Sequence, residues 1–424
     1  MLNDFLLQTQ NNTIKACGVD ISENDLKNGI FNLGNRAKIV NVMRKAMRGE
    51  DIVLCCFGGS ITEGGNKHTS PIPESEIMHT CKPLSYVEQT NAWWETLFSK
   101  YGSKVTMVNA GIGATDTPYG THRIVEDVLP YNPDLVILDW CCNDNRSDYK
   151  QGTYESIIRK LLEKGIAVIL FSFDQVYHQG TQYMHEPLSL HYNIPHLSYY
   201  NAFSKNEKWE FLTNDKVHPN CVGHTLSTLL ITNYLGEIYS NIDNISDDDL
   251  PINPNAYHPD AKIYNGAFIA RIKDILEGKI DGVKITDLGS FIPDKDERQF
   301  AFKKYLGYVA HSNPTGEFKP MIVELDKCKT AFLLIARSNG FINGTFDVII
   351  DGEKVEDKDG TFNCSVVKSV DNMQIEWQYH WATQRLCYFE NGKKIILKIM
   401  PTIPANQKNA YVKLYALLLS FYPR

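Results

Sequence analysis

A serine directly after an apolar run, and an aspartate three residues before a histidine far downstream, are the residue types this chain offers for nucleophilic catalysis. Ile52-Val53-Leu54-Cys55-Cys56-Phe57 leads into Gly58-Gly59-Ser60-Ile61-Thr62-Glu63-Gly64. A short continuous apolar run reads as a buried strand, and a parallel sheet keeps its chemistry just beyond the carboxyl ends of its strands. The two glycines permit a sharp turn and a close backbone approach, leaving Ser60 presented at the strand mouth. A serine hydroxyl is a weak nucleophile at neutral pH and needs a base to take its proton. His218, in Asp215-Lys216-Val217-His218-Pro219, can act as that base. Asp215 precedes it by a spacing that lets both side chains emerge from one turn, where the carboxylate can hold the imidazole tautomer and stabilise the imidazolium. Pro219 restricts the backbone of the histidine before it.

These residues can meet only if the intervening elements bring their ends together. Lys104-Val105-Thr106-Met107-Val108 reads as a strand and runs into Asn109-Ala110-Gly111-Ile112-Gly113. Leu135-Val136-Ile137-Leu138-Asp139-Trp140 reads as another and runs into Cys141-Cys142-Asn143-Asp144. Strands are expected near 52–57, 104–109, 134–140, 166–172 and 194–198, and helical patterns near 84–100, 118–129, 153–164 and 220–239. An amphipathic helix over 36–48 precedes the first strand. That alternation predicts a parallel sheet covered by helices on both faces, in a doubly wound, flavodoxin-like order.

In this order, GGSIT, NAGIG, CCND and DKVHP resemble the successive blocks of the SGNH hydrolase superfamily, also called GDSL-type esterases. Each block alone is weak; the ordered set, each at the end of a strand or in a late loop, is specific. The resemblance covers about residues 35 to 240. It implies Ser60 as nucleophile, Asp215 and His218 as acid and base, and Ser60 N–H, Gly113 and Asn143 as oxyanion donors. Gly111 is a rival to Gly113, and the sequence leaves that choice open. Two positions depart from the family pattern: Gly59 stands where many members carry aspartate, and Cys141 where the third block carries glycine. Asp144 is read as structural, and Glu63 and Arg123, as charges expected at the surface, are assigned no role.

Beyond the acidic, proline-punctuated stretch at 247–255 the character of the chain changes. Short alternating runs separated by Asp351-Gly352 and Asn391-Gly392 suggest an antiparallel β-sandwich of jelly-roll type. The expected organisation is an N-terminal extension over 1–34, an SGNH hydrolase domain over 35–245, a linker over 246–260 and a sandwich over 261–424. Trp377, Tyr379 and Trp381 alternate along one strand. Such a row can stack on sugar rings or pack a sandwich core, so Trp377 and Trp381 are substrate-binding candidates with a structural alternative.

With 424 residues, 43% of them apolar, the chain is long enough for two cores. Its net charge of -7 gives no basic footprint for nucleic acid. No segment has the length and hydropathy of a membrane span and none reads as a leader, so a cytoplasmic location is expected. The ten cysteines are read as reduced thiols, and neither they nor the twelve histidines fall at metal-ligand spacing. No metal or organic cofactor is implied. The polar, proline-stiffened stretch Gly65 to Pro73 is unlike an apolar lipase lid and suits a short acyl group on a polar carrier. The two-domain plan is similar to that of intracellular carbohydrate acetyl esterases with a C-terminal jelly roll, including those acting on acetylated mannan oligosaccharides. The expected partner is therefore an acylated oligosaccharide or another small acyl ester. A thioesterase or lysophospholipase on the same residues, and a catalytically silent carbohydrate-binding protein, are the alternatives.

Overall fold

The computed structural model describes residues 13–17, 19–69, 83–144, 147–174, 180–206, 212–213, 215–246, 248, 251–300, 303–311, 317–338, 345–355, 378–382, 385–402 and 411–421. The chain divides into two compact units, 1–117 with 124–261 and 118–123 with 262–424.

The first unit carries the strands β1 (Thr13–Ala16), β2 (Val19–Ser22), β3 (Ile30–Asn32), β4 (Ile52–Gly58), β5 (Val105–Gly111), β6 (Leu135–Asp139), β7 (Ala167–Ser172) and β8 (His196–Ser198). Its helices are α1 (Glu23–Asn28), α2 (Ala37–Met47), α3 (Ser60–Glu63), α4 (Tyr86–Phe98), the two ends of α5 (Thr117–Asp127), whose residues 118–123 belong to the second unit, α6 (Asp148–Glu163), α7 (Gln182–His191), α8 (Tyr199–Phe203) and α9 (Cys221–Ser240). β1 and β2 form a hairpin, and the other six strands form a sheet in the order β3-β8-β7-β6-β4-β5. β4 to β8 run parallel in the flavodoxin-like order expected, and β3 adds an antiparallel edge. Three residues are too few to show a period, which is why β3 is invisible in the sequence.

Alternation across the sheet decides which helix each side chain meets. Leu54, Cys56, Ile137, Ile169 and Phe171 pack in one core with Trp94, Leu226 and Leu230 of α4 and α9. Cys55, Phe57, Val136, Leu138, Val168 and Leu170 pack in another with Ile157 and Leu161 of α6. Burial on both faces explains why these strands read as unbroken apolar runs. β4 lies between β5 and β6, so the connections leave it in opposite directions and open a crevice at its carboxyl end. Gly58 pairs with Gly111 of β5 and with Asp139 of β6, which brings the three following turns level.

The stretch that ends this unit is held to it by hydrogen bonds. The buried Glu155 carboxylate accepts the N–H groups of Tyr257 at 2.7 Å and His258 at 2.6 Å, and His191 Nε2 donates to Asn255 O at 2.9 Å.

The second unit carries α10 (Ile272–Leu276) and the strands β9 (Ala267–Arg271), β10 (Val283–Asp287), β11 (Ile292–Phe300), β12 (Lys303–His311), β13 (Met321–Ser338), β14 (Thr345–Ile350), β15 (Glu353–Lys354), β16 (Gln378–Ala382), β17 (Cys387–Thr402) and β18 (Tyr411–Phe421). All ten pair antiparallel in one hydrogen-bonded system. Long β13 keeps β17 as a partner on both sides of Lys327, whose φ is +53°, while Ile322–Leu325 also pairs with β10 and Cys328–Ile335 with β18. Met321, Val323, Leu325, Leu333, Ile335, Leu397 and Leu417 form the core of this unit. Trp381 lies in β16 opposite Ile335, while Trp377 falls outside the described residues.

Seven cysteines, Cys55, Cys56, Cys141, Cys142, Cys221, Cys328 and Cys387, are free thiols, but Cys17 is disulfide-bonded, so the expectation of reduced thiols fails at that position. No helix among the described residues is long and apolar enough to cross a membrane.

Asp139 closes β6 inside the core, and burial pushes its carboxyl up to about 8 against the Phe173 N–H and the Thr62 hydroxyl that favour its charged form. Unfolded, the same group titrates near ~3.9, so the folded chain binds more protons and Asp139 erodes stability as pH rises from there to about 8. Burial moves His196 and His224 the other way, to about 3 and about 4, so they add stability as pH rises toward the ~6.5 of unfolded histidine. Above ~6.5 only Asp139 of these three still contributes a slope. Asp139→Asn should therefore flatten the fall of Tm between about pH 6.5 and 8, read from thermal melts. Parallel curves for the two proteins over that range would contradict the assignment.

Candidate active site

At the end of β4 the chain has almost no room. A Cβ on Gly58 would stand 2.4 Å from Asp139 O and 2.2 Å from Thr62 Oγ1. One on Gly59 would stand 2.4 Å from Asn143 Oδ1. This explains the departure at 59: the Asn143 carboxamide occupies the space a side chain would need. Ser60 then opens the single turn of α3, which ends at Gly64 with φ +103°. Gly65 folds back so that its N–H donates to Ser60 O at 2.8 Å.

His218 comes from the loop before α9. A bridge between Thr213 and Pro219 closes this loop, and Asn220 caps α9 by accepting the N–H groups of Val222 and Gly223. Within it, Asp215 Oδ1 accepts the backbone N–H groups of Val217 at 3.0 Å and His218 at 2.7 Å. Its Oδ2 faces His218 Nδ1 at 2.7 Å and accepts from Asn66 Nδ2 at 2.9 Å. Partial burial raises the Asp215 carboxyl, but the His218 ring and the two backbone N–H groups outweigh it and hold the group below the usual range. An ionised Asp215 keeps the proton on Nδ1 and leaves Nε2 as an acceptor. Ser60 Oγ lies 2.8 Å from that nitrogen.

The second and third blocks flank this chain of groups. Gly111 N donates to Asn109 Oδ1 at 2.9 Å, and a Cβ there would meet Glu63 N at 2.2 Å, so Gly111 is a packing glycine beneath α3. At Gly113 a Cβ would lie 3.6 Å from Ser60 Cβ, which puts Gly113 beside the serine. Its N–H donates to Glu63 Oε2 at 2.9 Å. Asn143 sits in a turn whose N–H groups, with those of Asp144, return to Trp140 O. Asp144 is buried and accepts Thr117 N and Oγ1, both at 3.0 Å, tying this turn to the start of α5. The sulfur of Cys141 is accommodated against Gly180, where a Cβ would come within 2.8 Å of it.

Two further residues bear on the site without a local signal in the sequence. His224 is buried, accepts the Tyr86 N–H on Nδ1 at 3.2 Å and donates from Nε2 to Gly65 O at 3.1 Å. A Cβ on Gly65 would come 3.1 Å from His218 Cδ2, so His224 braces the turn that packs on the His218 ring. Glu63 holds the Gly113 N–H. Arg123, expected at the surface, is fully buried. Among the described residues, no group of His, Cys, Asp and Glu is arranged to hold a metal ion.

Residues 56–226 match the model of the GDSL-like Lipase/Acylhydrolase family. The resemblance of the four blocks and the match to the family model therefore coincide on the first unit. Among solved structures, the chain is similar to a two-domain esterase (CEX) active on acetylated mannans, co-crystallised with mannopentaose, at 23% identity and a TM-score of 0.69, over 94% of this chain and 99% of that one. A second structure of a two-domain esterase (CEX) active on acetylated mannans aligns at 22% identity and TM-score 0.67 with the same coverage. At this identity the likeness is one of fold, and it extends over both units. A search of curated proteins finds no match.

The contact at Gly59 makes a prediction. Gly59→Ala puts a methyl where Asn143 Oδ1 now stands and turns the carboxamide away, so turnover of an aryl acetate should fall by about tenfold to a hundredfold with the Tm little changed. Unchanged kcat would mean that the Asn143 side chain has no part in the reaction.

Proposed function

We propose that the chain is a serine esterase, a carboxylic ester hydrolase that removes acetyl or another short acyl group from a carbohydrate through an acyl-enzyme. One observation carries this reading: Ser60 Oγ, the His218 ring and Asp215 stand in line, at 2.8 and 2.7 Å, at the crevice where β4 meets its two neighbours. The match to an acylhydrolase family supports the reaction class. Likeness in fold to esterases active on acetylated mannans supports an acetylated oligosaccharide as substrate.

In this mechanism Ser60 Oγ attacks the ester carbonyl as its proton passes to His218 Nε2. Asp215 stays ionised and stabilises the imidazolium that forms. The oxyanion of the tetrahedral intermediate is held by Ser60 N–H, Gly113 N–H and the Asn143 amide. Gly113 is preferred to Gly111 because it adjoins Ser60, whereas Gly111 packs under α3 with its N–H on Asn109. Collapse of the intermediate breaks the bond to the sugar oxygen, which takes the proton from His218. Water, deprotonated by His218, then attacks the acyl-serine, and collapse of this second intermediate breaks the bond to Ser60 Oγ, which takes the proton back from His218 as the carboxylic acid leaves. Every proton is moved by His218, and the chain's own residues supply all the groups the sequence calls for.

The sugar-stacking role of Trp377 and Trp381, the jelly-roll connectivity of the second unit and the cytoplasmic location are part of the same proposal. If the tryptophans meet glycan, Trp381→Ala lowers activity on acetylated oligosaccharides far more than on a small aryl acetate. If they are core residues, truncation costs about 3–5 kcal/mol of stability and lowers both activities together.

Acetate release from a panel of acetylated oligosaccharides tests the reading. Ser60→Ala should abolish it with the Tm unchanged, and Asn143→Ala should lower kcat about a hundredfold or more with a much smaller change in KM. Near wild-type turnover by Ser60→Ala would overturn the assignment.

A further inference from the structure

The N–H of Gly113, which the esterase mechanism needs for the oxyanion, is already engaged. Glu63 Oε2 accepts it at 2.9 Å, and the same oxygen lies 2.8 Å from where a Cβ on Gly113 would be. Glu63 follows Ser60 by three residues, and the single turn of α3 places positions three apart on one side of the helix. The Gly113 position is also 3.6 Å from Ser60 Cβ, measured from where a Cβ would be. A carboxylate oxygen therefore rests on the candidate oxyanion donor, next to the nucleophile, on a solvent-exposed residue.

We propose that Glu63 is a displaceable plug of the oxyanion site, seated on the Gly113 N–H in the resting enzyme and expelled when an ester carbonyl enters. This rests on the esterase reading and adds a competition to it. A carboxylate oxygen on a backbone N–H is the same charge-assisted hydrogen bond that the tetrahedral oxyanion would make, and that the carboxylate of product acetate would make. Glu63 thus competes with both. It keeps the donor paired when no substrate is bound, and it lowers apparent affinity by the fraction of time the site is closed. Only the side chain has to move: two methylenes separate the carboxylate from its backbone, and the residue faces solvent. The product, a small free carboxylate, has to compete with a tethered one for the same N–H, and this weakens product inhibition.

The alternative is that Glu63 braces the Gly113 loop and never leaves it. Glu63→Ala, Glu63→Gln and the wild type, compared on a small aryl acetate with sodium acetate as competing ligand, separate the two. A plug predicts that kcat/KM rises by about threefold to tenfold in Glu63→Ala and less in Glu63→Gln, whose neutral amide oxygen keeps the shape but is a weaker acceptor. The inhibition constant for acetate should fall by a similar factor in the same order. A brace predicts the reverse, a lower kcat in Glu63→Ala with acetate inhibition unchanged, and that result would overturn the proposal. The binding arm does not depend on turnover. In a Ser60→Ala background, acetate titrated against the Gly113 amide resonance should bind more tightly once Glu63 is alanine. Tighter acetate binding in that background, together with a chain that hydrolyses no ester even with Ser60 intact, would sink the esterase reading and keep the plug. Ester turnover with acetate affinity indifferent to Glu63 would sink the plug alone.

Discussion

Everything at the site depends on how closely three strand ends approach one another around β4. Gly58 lies against the Asp139 carbonyl, Gly59 against the Asn143 carboxamide and Gly111 against the backbone of Glu63, each so close that a Cβ would fall within 2.5 Å of an atom already there. Backbone and small polar groups fill the space that side chains usually take. That crowding holds Ser60 at a fixed height above the sheet and brings Gly113 and Asn143 to its two sides. Glycine serves here for close approach rather than for backbone freedom, since neither Gly58, Gly59 nor Gly111 has a positive φ.

Burial sorts the ionisable groups of the first unit into two populations. Desolvation keeps Asp139, His196 and His224 neutral at pH 7, and His224 serves as a fixed donor and acceptor between α4 and the Gly65 turn. Asp215, by contrast, stays ionised because the His218 ring and two backbone N–H groups favour its charge more than partial burial opposes it. His224, neutral, braces the Gly65 turn on which the His218 ring packs. The competition that does exist is local: Glu63, on the same helical turn as Ser60, holds the N–H that an oxyanion would use.

The second unit follows different rules. β17 alternates buried and less buried residues over Ile395–Ile399, whereas β18 is buried throughout Val412–Ser420 and β13 throughout Thr330–Ile335. The likeness in fold to two-domain esterases extends over this unit as well as the first.

The sequence by itself determined the parallel architecture, because strands buried on both faces must be apolar throughout and the helices between them must show the helical period. It also determined which blocks could meet, since three end strands, the fourth lies in a late loop, and a doubly wound sheet gathers the carboxyl ends of its strands at one edge. What it could not contain is anything that depends on distance between blocks. Gly111 and Gly113 differ in where they stand, the first packed beneath α3 and the second beside Ser60. Glycine at 59 is accounted for only by Asn143 lying over it, and cysteine at 141 only by the bare Cα of Gly180. Glu63 and His224 look like ordinary polar residues of a turn and a helix, and Arg123 like a surface charge, until packing brings Gly113 and Gly65 to the first two and buries the third. Contacts between residues far apart in the chain leave no mark on either local pattern, so tertiary structure alone decided them.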